Sequence, residues 1–231
     1  MKEELKKIKC FYCPYRSWVF GSLTREELAE VDKNRMEGSY KKGDVVCREG
    51  ESIRYFIYLK TGLLKLHKTV APQRQRIISL AQPADFIGML GIFSGGNHGY
   101  SITAVDNSDI CFVPVEVIQE IMKHNGLFAF DFVKKISEVS DRVIHSQLVL
   151  SSHLLKGRVA HILLMLGNNV YGSDTFLMPI NRKEMAEMIN MSVENVIRTL
   201  SEFRREKIIE IEGKQIRLLN KPLLKQIEML G

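Results

Sequence analysis

Short apolar or alternating runs recur between glycine turns through the first half of the chain. Gly43-Asp44 precedes Val45-Val46-Cys47, Gly50-Glu51 precedes Tyr55–Leu59, and Thr61-Gly62 turns into Leu63–His67. Arg76–Leu80, Ile102–Val105 and Ile110–Val113 follow. Runs this short at this spacing predict strands of a closed sandwich or barrel. The period then changes. Between Gly126 and Ser151 there is neither Gly nor Pro, and Ala129, Phe132, Ile136, Val139, Val143, Ser146 and Leu150 recur at alternating steps of three and four. This is a heptad seam, with Lys134, Lys135, Glu138, Asp141 and Arg142 off it. A helix packed on its own sheet usually shows a wider apolar stripe. The narrow seam therefore predicts a partner helix, most simply the same helix of a second chain. Phe132, Ile136, Val139, Val143 and Leu150 are the expected dimer contacts.

Ser151-Ser152-His153 reads as a hinge, Leu154–Val170 as the next helix and Tyr171–Asp174 as a loop. Asn181 is a good N-cap for Arg182–Ile189, where Met185, Met188 and Ile189 form one apolar face and Ala186 allows a close crossing. Asn190 tolerates the left-handed conformation that ends a helix. Ser192 can cap the helix Val193–Arg205, with Val196, Leu200 and Phe203 turned to the core. Two short helices joined by a tight turn make a helix-turn-helix, whose second helix enters the major groove by its N-terminal part. Arg198 can donate two hydrogen bonds to guanine, and Glu194 can accept from cytosine N4. Ser192 and the helix start can hold a phosphate. Arg182, Ser192, Val193, Glu194, Asn195, Ile197 and Arg198 form the expected DNA-binding set. Ile208–Ile211 and Gln215–Leu218, around Glu212-Gly213-Lys214, read as a β-hairpin that would be a wing.

Over about Cys10–Leu219 the sequence resembles the CRP/FNR family of bacterial transcription regulators. Asn181–Ile209 looks like its DNA-reading signature. Lys42-Gly43-Asp44, Glu49-Gly50-Glu51 and Thr61-Gly62 look like the glycine turns of its cyclic-nucleotide-binding-type β-roll, and Ala84–Phe93 like the start of its phosphate-binding cassette. The resemblance implies an α+β chain in three parts: an N-terminal segment and sensory β-roll (a jelly roll) over 1–125, a dimerisation helix over 126–151, and a winged helix-turn-helix over 152–231. It also implies that Val193, Glu194, Ile197 and Arg198 occupy base-reading positions. Val193 and Ile197 can contact only thymine methyls there or exclude other bases. The implied partners are double-stranded DNA, a second copy of the chain, and RNA polymerase.

The effector pocket expected from the resemblance comprises Gly88, Met89, Leu90, Gly91, Tyr100 and Ser101. Cyclic-AMP binders of the family carry Glu where this chain has Met89, and an Arg-Ser pair where it has Tyr100-Ser101. Losing the acceptor and the cation removes the main polar handles for a cyclic nucleotide, so cyclic AMP is not the expected effector. Another ligand at the Gly95–Gly99 loop, or an empty vestigial pocket, remains open. The oxygen-sensing branch holds a [4Fe–4S] cluster on four cysteines. Cys10-Phe11-Tyr12-Cys13 and Cys111 resemble three of those positions, and the fourth falls near Val19. Cys10, Cys13 and Cys111 are the candidate ligands of an Fe–S cluster or another metal, against the plainer reading of reduced thiols.

Composition narrows the classes. The chain has 231 residues, 45% of them hydrophobic, with a formal net charge of +6. That balance suits a polyanionic partner. No run reaches the roughly 20 apolar residues of a membrane span, and the charged start lacks the apolar core of a signal peptide, so the expected place is the cytoplasm, without membrane association. The four cysteines have no secretory context that would favour disulfides. No P-loop, nucleophile elbow or His-rich metal motif suggests an enzyme. The alternatives to a DNA-binding regulator are a ligand-gated interaction module that binds no DNA, and an Fe–S or redox-sensing variant of the same regulator.

Overall fold

The computed structural model describes residues 8–230, except Gln73 and Gly95. The charged start, 1–7, and the side chains of Leu90 and Ser94 also lie outside the described residues. Two compact units divide the chain: residues up to Lys68 with Leu80–Arg142, and Thr69–Ser79 with Val143–Gly231.

The first unit is built on α1 (Arg25–Asn34), β1 (Met36–Tyr40), β2 (Val45–Cys47), β3 (Tyr55–Thr61), β4 (Leu64–Ala71) as far as Lys68, the last two residues of β5 (Arg74–Ala81), β6 (Phe86–Ile87), α2 (Met89–Ser94), β7 (Ser101–Ala104), β8 (Ser108–Pro114), α3 (Val115–His124) and the first part of α4 (Gly126–Ser152). Its strands form two four-stranded sheets, ordered β1-β8-β3-β6 and β2-β7-β4-β5. The ladders β1–β8, β3–β8, β3–β6, β2–β7 and β4–β7 are antiparallel. This is the double-sheet roll that the glycine-punctuated runs predict.

Strand β3 reads as a continuous apolar run because both of its faces are covered. Successive side chains alternate between faces. Phe56 and Tyr58 enter a core with Val115, Ile118, Phe128 and Phe132 of α3 and α4. Ile57 and Leu59 enter a second core with Leu64, Ile102 and Ile110. The turn after β3 admits only glycine. Gly62 has φ +88°, and a Cβ there would lie 2.3 Å from the Asn107 carbonyl oxygen. Helix α1 begins at a capping box, in which the Thr24 hydroxyl accepts the Glu27 N–H and Glu27 accepts the Thr24 N–H.

Helix α4 carries the heptad positions that the sequence predicts as a dimer seam. Phe132 is fully buried in its own chain, and Ile136 and Val139 pack against the same core. In the second unit Leu150 is also buried, Val143 is half-buried, and the Ser146 hydroxyl pairs with His161 Nε2 at 3.0 Å. Of the expected dimer contacts, Phe132 and Leu150 are thus covered by the chain itself, while Ile136, Val139 and Val143 are half-buried. The apolar residues left uncovered are Leu127, Phe130, Val133, Ile144 and Leu148, each more than half exposed. At 3.6 residues per turn these fall on the opposite side of the helix.

Beyond the end of α4, the second unit contains α5 (Leu155–Met165), β9 (Thr175–Leu177), α6 (Arg182–Ile189), α7 (Val193–Arg205), β10 (Ile209–Glu212), β11 (Gln215–Leu218) and α8 (Lys221–Leu230). The helix expected over Leu154–Val170 changes to a π turn at Leu166–Val170. Gly167 lies there, where a Cβ would come within 2.9 Å of Leu218 Cδ1. Antiparallel β10 and β11 form the predicted hairpin, and β9 adds a third strand at the edge of β11. His161 Nδ1 meets Glu228 Oε1 at 2.6 Å, so one buried imidazole joins α4, α5 and α8.

Candidate nucleic-acid interface

The two helices α6 and α7 meet through their apolar faces. Met185, Ala186, Met188 and Ile189 of α6 are buried, as are Val196, Thr199, Leu200 and Phe203 of α7. Asn181 accepts the Glu184 N–H at 2.9 Å, and Glu184 accepts the Asn181 N–H at 2.9 Å, so the cap is a full capping box. Asn190 stands at φ 54°, ψ 49°, the left-handed conformation the sequence reading assigned to it. The Ser192 hydroxyl accepts the Asn195 N–H at 3.3 Å and starts α7.

Burying one side of α7 fixes which side chains remain outside. Glu194, Ile197 and Arg198 are exposed, and Val193 and Asn195 are half-exposed at the helix start. Hydrogen bonds from its own backbone N–H and from the Ser192 hydroxyl hold the Glu194 carboxyl below the usual carboxylate range. It is therefore an acceptor, as pairing with cytosine N4 requires. Arg198 Nη2 donates to Asn195 Oδ1 at 2.9 Å. This contact orients the guanidinium along the exposed face, and the sequence reading missed it although the i, i+3 spacing was visible. Arg182 is half-buried at the start of α6, and desolvation lowers its pKa.

The expected effector positions are largely engaged by the chain itself. Met89 is 4% exposed and belongs to the core with Phe86 and Phe132, so it is a packing residue rather than a pocket liner. An apolar side chain at this position gains by that burial. Burial pushes the Tyr100 hydroxyl up, partly offset by a hydrogen bond from the Gly88 backbone. The Ser101 hydroxyl accepts the Glu49 N–H at 3.0 Å. Gly88 turns with φ +82°, and Gly91 packs so closely that a Cβ would lie 2.6 Å from Ile53 Cδ1. The Leu90 side chain is outside the described residues.

Cys10, Cys13 and Cys111 do converge. With Arg35, Tyr58 and Val31 they line one cavity of about 30 Å³, while Cys47 lies in the other core. The set does not fit a four-thiolate cluster. Val19 is fully buried in the apolar core and cannot ligate. The Arg35 guanidinium, 3% exposed, stands 3.7 Å from Cys111 Sγ and also holds Asp32 and Glu37. Burial pushes the Cys10 thiol up to about 12. Among the described residues no group of three or more His, Cys, Asp or Glu side chains is placed to hold a metal ion. Likewise, no described helix is long and apolar enough to cross a membrane.

Comparison with known proteins agrees with this arrangement. Residues 37–125 match the cyclic nucleotide-binding domain, and residues 157–227 match the Crp-like helix-turn-helix domain. The transcriptional activator protein FnrL of Cereibacter sphaeroides is 24% identical over 216 residues, covering 90% of this chain and 86% of its own. The nitrogen fixation regulation protein FixK of Bradyrhizobium diazoefficiens is 25% identical over 223 residues, covering 91% and 90%. Among solved structures, FixK2 from Bradyrhizobium japonicum superposes with a TM-score of 0.77 at 22% identity, covering 84% of this chain and 97% of that one.

Proposed function

The chain belongs to the CRP/FNR family of transcription regulators, and from that premise we propose that it reads an operator as a homodimer, with α7 in the major groove. The observation that carries this reading is the division of α7: Val196, Leu200 and Phe203 are buried, and Glu194, Ile197 and Arg198 are presented outward beside a capped helix start. Arg198 reads guanine, Glu194 reads cytosine, Ile197 and Val193 contact thymine methyls, and Ser192 takes a phosphate, with Arg182 and Asn195 beside them. The uncovered row on α4 supports pairing with a second copy. Phe130 is 68% exposed and Leu148 60%, and unpaired apolar residues of that size on a long helix gain by meeting their equivalents. RNA polymerase is the further partner of such a regulator, and the cytoplasm is where its DNA lies.

The signal enters at the roll and shifts the population of α4 arrangements, which resets the separation of the two recognition helices to about 34 Å, one turn of DNA. That signal is not cyclic AMP, because Met89 is in the core and Tyr100 is bonded to Gly88. The test is selection of binding sequences from a random duplex pool, followed by affinity measurement with Arg198→Ala. The expected loss is about 1–3 kcal/mol, with relaxed preference at one base pair of each half-site. Failure of the wild-type protein to enrich any sequence would favour the non-DNA-binding interaction module instead.

A further inference from the structure

The turn between α6 and α7 is tied to the end of α4 by one side chain. Arg158 lies on α5, in Lys156-Gly157-Arg158-Val159. Its Nε donates to the His153 carbonyl at 2.7 Å, its Nη1 to the Ile189 carbonyl at 3.0 Å and its Nη2 to the Ser151 carbonyl at 3.4 Å. Helix α4 ends at Ser152 and α6 at Ile189. The last carbonyls of a helix have no partner within it and carry the negative end of its dipole. A guanidinium answers both needs, and its planar fork fixes the directions of its donors as an ammonium does not.

The neighbouring bonds leave this carbonyl to Arg158. The N–H groups of Asn190 and Met191 both return to the Ala186 carbonyl, so they close the end of α6 one turn earlier. Ser192, which starts α7, is only three residues beyond Ile189. A movement of Ser151 or His153 therefore reaches the start of the recognition helix through a single rigid group and a short left-handed turn.

We infer that Arg158 is a positioning residue for DNA reading. It touches no base, and it sets the angle at which α7 is presented from the end of the dimer helix. The inference rests on the proposed dimeric binding and adds the part that fixes half-site spacing. Loss of the clamp leaves each recognition helix intact and releases its orientation. The affected quantity is discrimination between spacings more than affinity for a half-site.

The probe is the duplex enriched by the wild-type protein, together with versions lengthened or shortened by one base pair between the half-sites. Arg158→Gln is expected to reduce the preference for the enriched spacing by about tenfold, the size of a typical coupling change, while binding to a single half-site stays within about threefold. Arg158→Lys, which keeps the charge but not the fork, is expected to fall between them and serves in place of Arg158→Gln if that variant unfolds. Equal loss at every spacing would overturn the inference in favour of simple stabilisation, as would an unchanged preference. Wild-type protein that enriches no duplex would instead remove the DNA-binding reading on which the inference stands.

Discussion

Truncating Phe132 separates intrachain packing from dimerisation on the same helix. Phe132 is fully buried, with its ring centroid 5.3 Å from that of Phe56, 5.7 Å from Phe86 and 6.0 Å from Phe128. Phe132→Ala removes the ring from a site whose walls belong to two strands and its own helix, and which cannot collapse freely. The expected loss is about 3–5 kcal/mol. The upper half of that range applies because edge-to-face ring contacts add about 0.5–1.5 kcal/mol beyond area burial. At roughly 2–4 °C per kcal/mol for a chain of this size, the melting temperature falls by about 10–15 °C. Urea unfolding followed through Trp18, the single tryptophan and a residue of the same unit, measures the loss. Repeating it over a hundredfold range of about micromolar concentrations separates folding from self-association, since only the latter is concentration-dependent. Phe130→Ala is the control. It should leave the fold within about 0.5 kcal/mol and weaken self-association. If Phe132→Ala left the urea midpoint in place and split the dimer, the assignment of the two faces of α4 would be reversed.

Three further outcomes are expected. Asn190→Gly should be tolerated, whereas Asn190→Val should destabilise the second unit by about 1–2 kcal/mol, read by thermal unfolding, because the position requires φ 54°. Calorimetric titration with cyclic AMP should give no saturable heat, and a micromolar dissociation constant would overturn the account of Met89 and Tyr100. At Asp32, burial raises the carboxyl pKa, but bonds from the Cys10 N–H and Arg35 outweigh it and the net shift is downward. A carboxyl depressed in the folded state stabilises the fold above its unfolded pKa of about 4 and loses that contribution as pH falls through the folded value. Asp32→Asn should therefore be less stable than wild type at pH 7, with the gap closing in acid below about pH 4, as read by urea midpoints across pH.

The sequence revealed most where a local rule and the tertiary structure agree. Asn181, Asn190 and Ser192 announce the helix-turn-helix because caps and a left-handed turn are local chemistry. The Thr24 and Glu27 capping box announces α1 in the same way. Periodicity is less complete information. The recurrence from Ala129 to Leu150 shows that α4 has an apolar stripe, but the covering surface, Phe56, Phe86 and Ile118, is remote in sequence. The exposed row through Phe130 and Leu148 is broken by Lys134, Ser137 and Asp141, and was hidden for that reason. The convergence of Cys10, Cys13 and Cys111 was legible through the family pattern. The buried Arg35 among them was not, since nothing local distinguishes it from a solvated arginine.

Strand β3 has a consequence for how the first unit comes apart. Its alternate side chains belong to two different cores, so neither core can open without withdrawing the strand from the other. The amides of Phe56–Leu59 should then exchange with solvent only through complete unfolding of the unit, and those of both flanking sheets should follow at the same free energy. A unit opened in one step has no partially melted state available as an intermediate. Any change within it short of unfolding must be a rearrangement of packed parts.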